Sequence, residues 1–159
     1  MTLLTIFHVA ISLLGIGSGF VILYGLLCSR RLEGWTTFFL ATTAATSLTG
    51  FLFPFHGLEP AHVVGLSSLF VLVVAALARY RFHLGGGWRR TYVVTAITAL
   101  YLNVFVLIVQ LFQKVQALKR LAPTQSEPPF QFAQLAVLVI FIALGYRAIT
   151  RFENIRKTA

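Results

Sequence analysis

The segment HGLEPAH, residues 56–62, concentrates the side chains of this sequence that are best suited to chemistry. It holds two of the four histidines and one of the four acidic residues of the chain. His56, Glu59 and His62 are spaced three apart, and imidazole and carboxylate together suit zinc, iron or copper. The proline and glycine within the segment disfavour a continuous helix, but a turn could bring the three together with His8. The pattern therefore predicts a candidate metal site formed by His8, His56, Glu59 and His62.

Other interpretations of these histidines remain open. Haem iron commonly takes axial histidines, and His8 and His62 from two different helices could supply them. A proton-linked role is a further possibility. The alternative without a ligand is that the histidines lie at a membrane interface, where they would hydrogen-bond to water and to lipid headgroups.

The elements that must position these residues are long apolar runs. The chain of 159 residues is 58% hydrophobic and 11% charged, whereas roughly a quarter of the residues of a soluble domain are charged. Five runs approach the length of about 20 residues that spans a bilayer as a helix; they are 3–27, 35–54, 61–80, 91–112 and 130–149. We therefore predict an all-α integral membrane protein with five transmembrane helices in a single domain.

The basic residues predict how the chain is oriented in the membrane. With the N-terminus outside and the C-terminus inside, ten of the 13 lysines and arginines fall on the inner side, as the positive-inside rule requires. HGLEPAH is then an outer loop, and His8 lies at the same level. The expected location is a bacterial inner (cytoplasmic) membrane. Because the basic residues form short clusters between spans, the net charge of +9 does not indicate nucleic-acid binding.

The sequence also contains a possible internal repeat. Gly-Trp pairs open spans 2 and 4, and Glu-Pro pairs precede spans 3 and 5 at an offset of 68 residues. These matches predict a duplicated helical hairpin, spans 2–3 and 4–5, with span 1 added in front. A chance match in apolar sequence is the alternative.

Two amides lie inside the fourth predicted span. Asn103 and Gln110 could form hydrogen bonds between helices, or they could line a polar path for a small neutral solute. No predicted span carries a charged residue at mid-depth, where ion-coupled carriers usually need one. An ion-coupled transporter is therefore disfavoured.

The connections supply candidate contacts for lipid or for a partner. Residues 112–129 are predicted to form an outer amphipathic segment, in which a helix continues from span 4 and ends before Pro123. Five basic residues are candidates for binding anionic lipid headgroups or an acidic partner: Arg89, Arg90, Lys114, Lys119 and Arg120.

Small residues line one face of each of the first two spans. Span 1 has Ser12, Gly15 and Gly19, and span 2 has Ala41, Ala45 and Thr49. Such faces let helices approach closely, either within one chain or against a membrane-protein partner or a second copy.

Two functional hypotheses follow from these features. The first is a binding or accessory protein whose His/Glu cluster holds a metal ion or haem. The second is a non-catalytic subunit that docks to a larger membrane complex through a small-residue face. No motif for a hydrolase, a kinase or a nucleotide-binding site is present, so the sequence does not favour an enzyme.

Overall fold

The structure, a computed structural model, describes the backbone of residues 3–53 and 60–154 and the side chains of residues 3–53 and 62–152. All regular structure in these residues is helical. The helices are α1 Leu3–Leu27, α2 Glu33–Gly50, α3 Pro60–Ala76, α4 Trp88–Lys114, α5 Gln116–Leu121 and α6 Pro128–Asn154; a π-helical turn, Leu77–Arg81, continues α3. The prediction of an all-α chain is confirmed.

Four of the described helices are long and apolar enough to cross a membrane: α1, α3 with its π-helical turn, α4 and α6. By length and composition, these helices are compatible with the predicted membrane protein. The second helix, α2, is not one of the four. Six threonines and one serine among its 18 residues lower its hydropathy, so the predicted count of five spans is not established by length and composition.

The hydroxyl groups of α2 are largely satisfied by the helix itself. Thr36 Oγ1 donates to the carbonyl of Leu32 at 2.9 Å, and Thr49 Oγ1 donates to that of Ala45 at 2.7 Å. Threonine commonly bonds to the carbonyl four residues back, which hides the polarity of its hydroxyl from an apolar environment. For this reason α2 can pack against α1 and α3 even though its composition is polar.

Consecutive long helices run antiparallel, so each end of the bundle contains the starts of some helices and the ends of the others. We call the end with the starts of α1, α3 and α6 the histidine end, because His8 and His62 lie there. His8, near the start of α1, contacts Thr49 at the end of α2. The opposite end is the arginine end. There, the guanidinium of Arg79 lies 5.5 Å from the ring centre of Tyr92, near the start of α4.

The core is centred on α4, which packs against α1, α3 and α6. Val93 and Ala99 of this helix are fully buried, and Leu100 is 1% exposed. The small face of α1 is part of this core. A Cβ at Gly19 would collide with the side chain of Leu100 and would lie 2.9 Å from Phe39 Cε2. The glycine face of α1 is thus covered by α2 and α4 of the same chain.

Arg79 is a largely buried charge at the arginine end. It lies in the π-helical turn, its side chain is 10% exposed, and its Nη2 is 4.0 Å from Glu33 Oε1. Its guanidinium also lies over the rings of Tyr80 and Tyr92. A π-helical turn shifts the register of the residues that follow it. At the corresponding positions of the proposed repeat, α6 is a continuous α-helix, and the duplication stays a prediction.

The predicted outer segment, 112–129, contains a bend and a short helix. The bend lies at Val115, which has extended backbone angles, φ −83° and ψ 113°, and it separates α4 from α5. Helix α5 ends at Leu121, two residues before Pro123, and α6 begins at Pro128. Proline is favoured in the first turn of a helix and cannot continue one, which accounts for both limits.

Candidate functional site

A cavity of about 480 Å³ opens at the histidine end between α1, α2, α3 and α4. Its walls are mainly apolar, with side chains such as Leu13, Val64 and Leu107. A smaller number of polar side chains also line the cavity. Ligand pockets in proteins occupy roughly 300–1,000 Å³ and combine an apolar lining with a few placed polar groups. In size and in lining, this cavity matches that description.

Two of the four predicted metal ligands, His8 and His62, line this cavity. The other two, His56 and Glu59, lie outside the described residues. Among the side chains of residues 3–53 and 62–152, no three histidine, cysteine, aspartate or glutamate groups are close enough to share an ion. The structure therefore brings together the two histidines predicted as haem ligands, and the four-residue metal cluster stays a prediction.

Both imidazoles, those of His8 and His62, contact aromatic rings. The ring of His8 meets Phe53 edge-on, with 5.2 Å between ring centres and 84° between planes. The ring of His62 lies 5.9 Å from that of Phe51. In addition, His8 Nδ1 is 2.8 Å from Thr49 Oγ1. His8 is thus fixed by one ring contact and one hydrogen bond, which leaves its Nε2 as the ring nitrogen not engaged by Thr49.

The two amides predicted as polar groups within the membrane also line the cavity, from α4. Asn103 Nδ2 donates to Thr43 Oγ1 at 3.1 Å, and Thr43 is fully buried. Asn103 therefore links α4 to α2, as the interhelical interpretation expected, while it also faces the cavity. Gln110 lies two turns further along α4, toward the histidine end.

Sequence reasoning missed a set of hydroxyl groups in the cavity wall. They come from three helices: Ser12, Thr46, Ser47 and Ser68. Ser68 is 3% exposed, and neither its Oγ nor that of Thr46 has a hydrogen-bond partner among the described residues. The available signal was a serine inside the apolar run of α3, and only the tertiary contacts show that it faces the same space as His8. Buried hydroxyls without partners favour a polar group within the cavity.

The five basic residues predicted to contact lipid or a partner divide between the two ends. Lys114, the last residue of α4, lines the cavity, while Lys119 and Arg120 are exposed on α5. Arg89 lies at the arginine end, where its Nη1 donates to the carbonyl of Phe152 at 3.2 Å. Arg90 is exposed beside it. Arg89 thus ties α4 to α6, and the predicted contacts with lipid or a partner stay predictions.

Glu127 lies just before α6 and marks the histidine end of that helix. Desolvation raises the pKa of its carboxyl group, but several hydrogen bonds outweigh this effect and hold the pKa below its ordinary value. Thr124 supplies two of them, from its hydroxyl at 2.8 Å and its backbone N–H at 3.1 Å. The backbone N–H of Ser126 supplies a third, at 3.1 Å. The carboxylate of Glu127 thus accepts hydrogen bonds within the turn that precedes α6, and Glu127 does not line the cavity.

No family model, no curated protein and no solved structure matches this chain.

Proposed function

We propose that this protein is a membrane-embedded binding protein that holds one small amphipathic molecule in the cavity at the histidine end. The observation that carries the proposal is the composition of the cavity wall. Four helices line a cavity of about 480 Å³ whose wall is mainly apolar, and the hydroxyl of Ser68 is buried there without a hydrogen-bond partner among the described residues. An apolar body would fill the volume, and a polar head would meet the histidines, amides and hydroxyls. Nothing in the arrangement requires a chemical step.

The proposal includes five membrane spans: the four apolar helices and, in addition, α2. It places the histidine end outside. Eight of the eleven basic residues in the described ranges lie at the arginine end, which supports placing that end inside. The setting that suits this arrangement is a bacterial inner membrane. Cys28, the single cysteine, is exposed at the arginine end. A membrane-impermeant maleimide should label it only after permeabilisation, whereas Ser126→Cys in a Cys28→Ser background should be labelled in intact cells. The reverse labelling would contradict the orientation.

The binding proposal is tested by filling the cavity. Ser68→Leu places a larger apolar side chain into the cavity wall, and Val73→Leu enlarges an apolar side chain on the exposed side of the same helix, where Val73 is 57% exposed. Native mass spectrometry of protein released from lipid nanodiscs should detect a retained small molecule in the wild type and in Val73→Leu, but not in Ser68→Leu. Far-UV circular dichroism checks that all three proteins are folded. Equal occupancy of Ser68→Leu and Val73→Leu would contradict a ligand in this cavity.

A metal ion or haem is the second candidate ligand, and the presence of His8 and His62 in one cavity favours it. In this version the full cluster includes His56 and Glu59 from the segment before α3. The test is an absorption spectrum before and after reduction, together with elemental analysis of the purified protein. A Soret band or near-stoichiometric zinc, iron or copper that disappears in His8→Ala and His62→Ala would support it. A colourless, metal-free and folded protein would contradict it.

A further inference from the structure

The directions of two hydrogen bonds, one within α2 and one between α1 and α2, determine what His8 offers to the cavity. Thr49 Oγ1 lies 2.7 Å from the carbonyl oxygen of Ala45. Two oxygen atoms approach this closely only with a proton between them, and a carbonyl has none to give. The hydroxyl of Thr49 therefore donates to Ala45. It is left as an acceptor toward other groups.

The proton between His8 and Thr49 must then come from the imidazole. His8 Nδ1 lies 2.8 Å from Thr49 Oγ1, so Nδ1 carries the hydrogen and donates it. In a neutral imidazole the other nitrogen, Nε2, is then an acceptor with a free lone pair. Thr49 is thus a positioning residue, because it selects the tautomer of His8.

A second acceptor lies one helical turn from His8, on the same face of α1. Ser12 Oγ is 2.7 Å from the carbonyl oxygen of His8, and by the same reasoning its proton is already donated. Both His8 and Ser12 line the cavity. The wall of α1 therefore presents lone pairs at this point, and a ligand group that meets them must supply a hydrogen.

We propose that the cavity recognises an uncharged amphipathic alcohol or phenol, whose hydroxyl donates to Nε2 of His8. This inference rests on the proposed binding function and specifies the head of its ligand. Lys114 at the cavity wall and the amides of Asn103 and Gln110 can donate to the oxygen of the same hydroxyl or to a second polar group on the ligand. A ligand whose head has only acceptors would leave the lone pairs of α1 unpaired in an apolar setting, which is costly.

The experiment compares 4-decylphenol with its methyl ether, 4-decylanisole. The phenol has a hydroxyl hydrogen to donate, and the ether has none. Protein in nanodiscs is saturated with tritiated 4-decylphenol, and each unlabelled compound competes at equal mole fraction in the lipid. We expect the ether to compete roughly tenfold more weakly, since it leaves a buried acceptor without a donor. In His8→Phe, which lacks the Nε2 acceptor, the advantage of the phenol over the ether should fall toward one.

Thr49→Val tests the tautomer itself, because it removes the acceptor for Nδ1. The ratio between phenol and ether should fall toward one. It should be unchanged in Thr95→Val, a matched control whose hydroxyl, among the described residues, bonds to carbonyls of its own helix. The ¹⁵N chemical shifts of labelled histidine, with the His8 signal identified by its loss in His8→Phe, should show a protonated Nδ1 and an unprotonated Nε2.

The outcomes separate this inference from the proposed function. Equal competition by phenol and ether in the wild type, with loss of both in Ser68→Leu, would overturn the hydroxyl inference and leave the binding function intact. A protonated Nε2 in the wild type would overturn the inference as well. Absence of saturable binding by either probe, together with no retained molecule in native mass spectrometry, would overturn both.

Discussion

Replacing Gly19 by alanine should weaken the fold more than the same change at Gly17, which lies two residues earlier on the exposed face of the same helix. A Cβ at Gly19 collides with the side chain of Leu100 and comes within 2.9 Å of Phe39 Cε2, whereas nothing lies within 4 Å of one at Gly17. Leu100 and Phe39 are each 1% exposed, so neither has free space to move into. Overpacking of this kind costs roughly 1–3 kcal/mol.

The matched pair removes the contribution of the backbone. Both changes gain about 0.5–1 kcal/mol of helix propensity, so Gly17→Ala should be neutral or slightly stabilising. The difference between the two variants in free energy of unfolding should then be roughly 1–3 kcal/mol. It can be measured by reversible unfolding in mixed micelles with increasing dodecyl sulfate, followed by far-UV circular dichroism. A difference below about 0.5 kcal/mol would refute the packing argument. If Gly19→Ala instead left the stability unchanged and dissociated an oligomer, this face of α1 would be a docking surface.

Two further predictions concern charged groups. Arg79→Lys should destabilise the arginine end by roughly 0.5–2 kcal/mol, because lysine lacks the planar group that lies over Tyr92. Arg151→Lys, at an exposed position of the same end, is the control in the same unfolding assay, and equal effects would contradict the assignment. The pKa of Glu127 is lowered in the folded chain. The hydrogen bonds to its carboxylate therefore stabilise the fold at pH values above the ordinary pKa, and this stabilisation is lost as the pH falls through the lowered pKa. In a ¹³C titration of the carboxyl group, Thr124→Ala should raise the pKa of Glu127 toward the ordinary range and Thr124→Ser should not; an unchanged pKa in Thr124→Ala would contradict the proposed cause.

The helices were predictable because their signals are local. A run of apolar residues long enough to span a bilayer has to satisfy its backbone internally, so α1, α3, α4 and α6 follow from composition. For α2 the local signal is ambiguous. Its threonines lower the hydropathy of the sequence, yet four of their six hydroxyls bond to carbonyls four residues back. Hydropathy counts the residue type and takes no account of such a bond, which is why this helix alone separates the predicted five spans from the four that length and composition support.

The candidate site was predictable only in part. His8 and His62 were singled out because histidines are few in an apolar chain, and Asn103 because an amide is unusual within a span. Ser68 gave no comparable signal, since serine is common in membrane helices and its chemistry here depends on burial. His56 and Glu59, which carried much of the sequence prediction, lie outside the described residues, so their part in a site stays a prediction.

By itself, the sequence determined the class of the protein, the positions of its long helices and the set of side chains able to do chemistry, because these depend on residue type and on neighbours within a turn or two. The tertiary structure decided what those side chains face. His8 meets Thr49 across 41 positions of sequence, and Asn103 meets Thr43 across 60. The cavity, the contact of His8 with Thr49 and the covered glycine face of α1 all arise from such distant contacts. No local pattern encodes them, because each depends on which helices pack together and in what register.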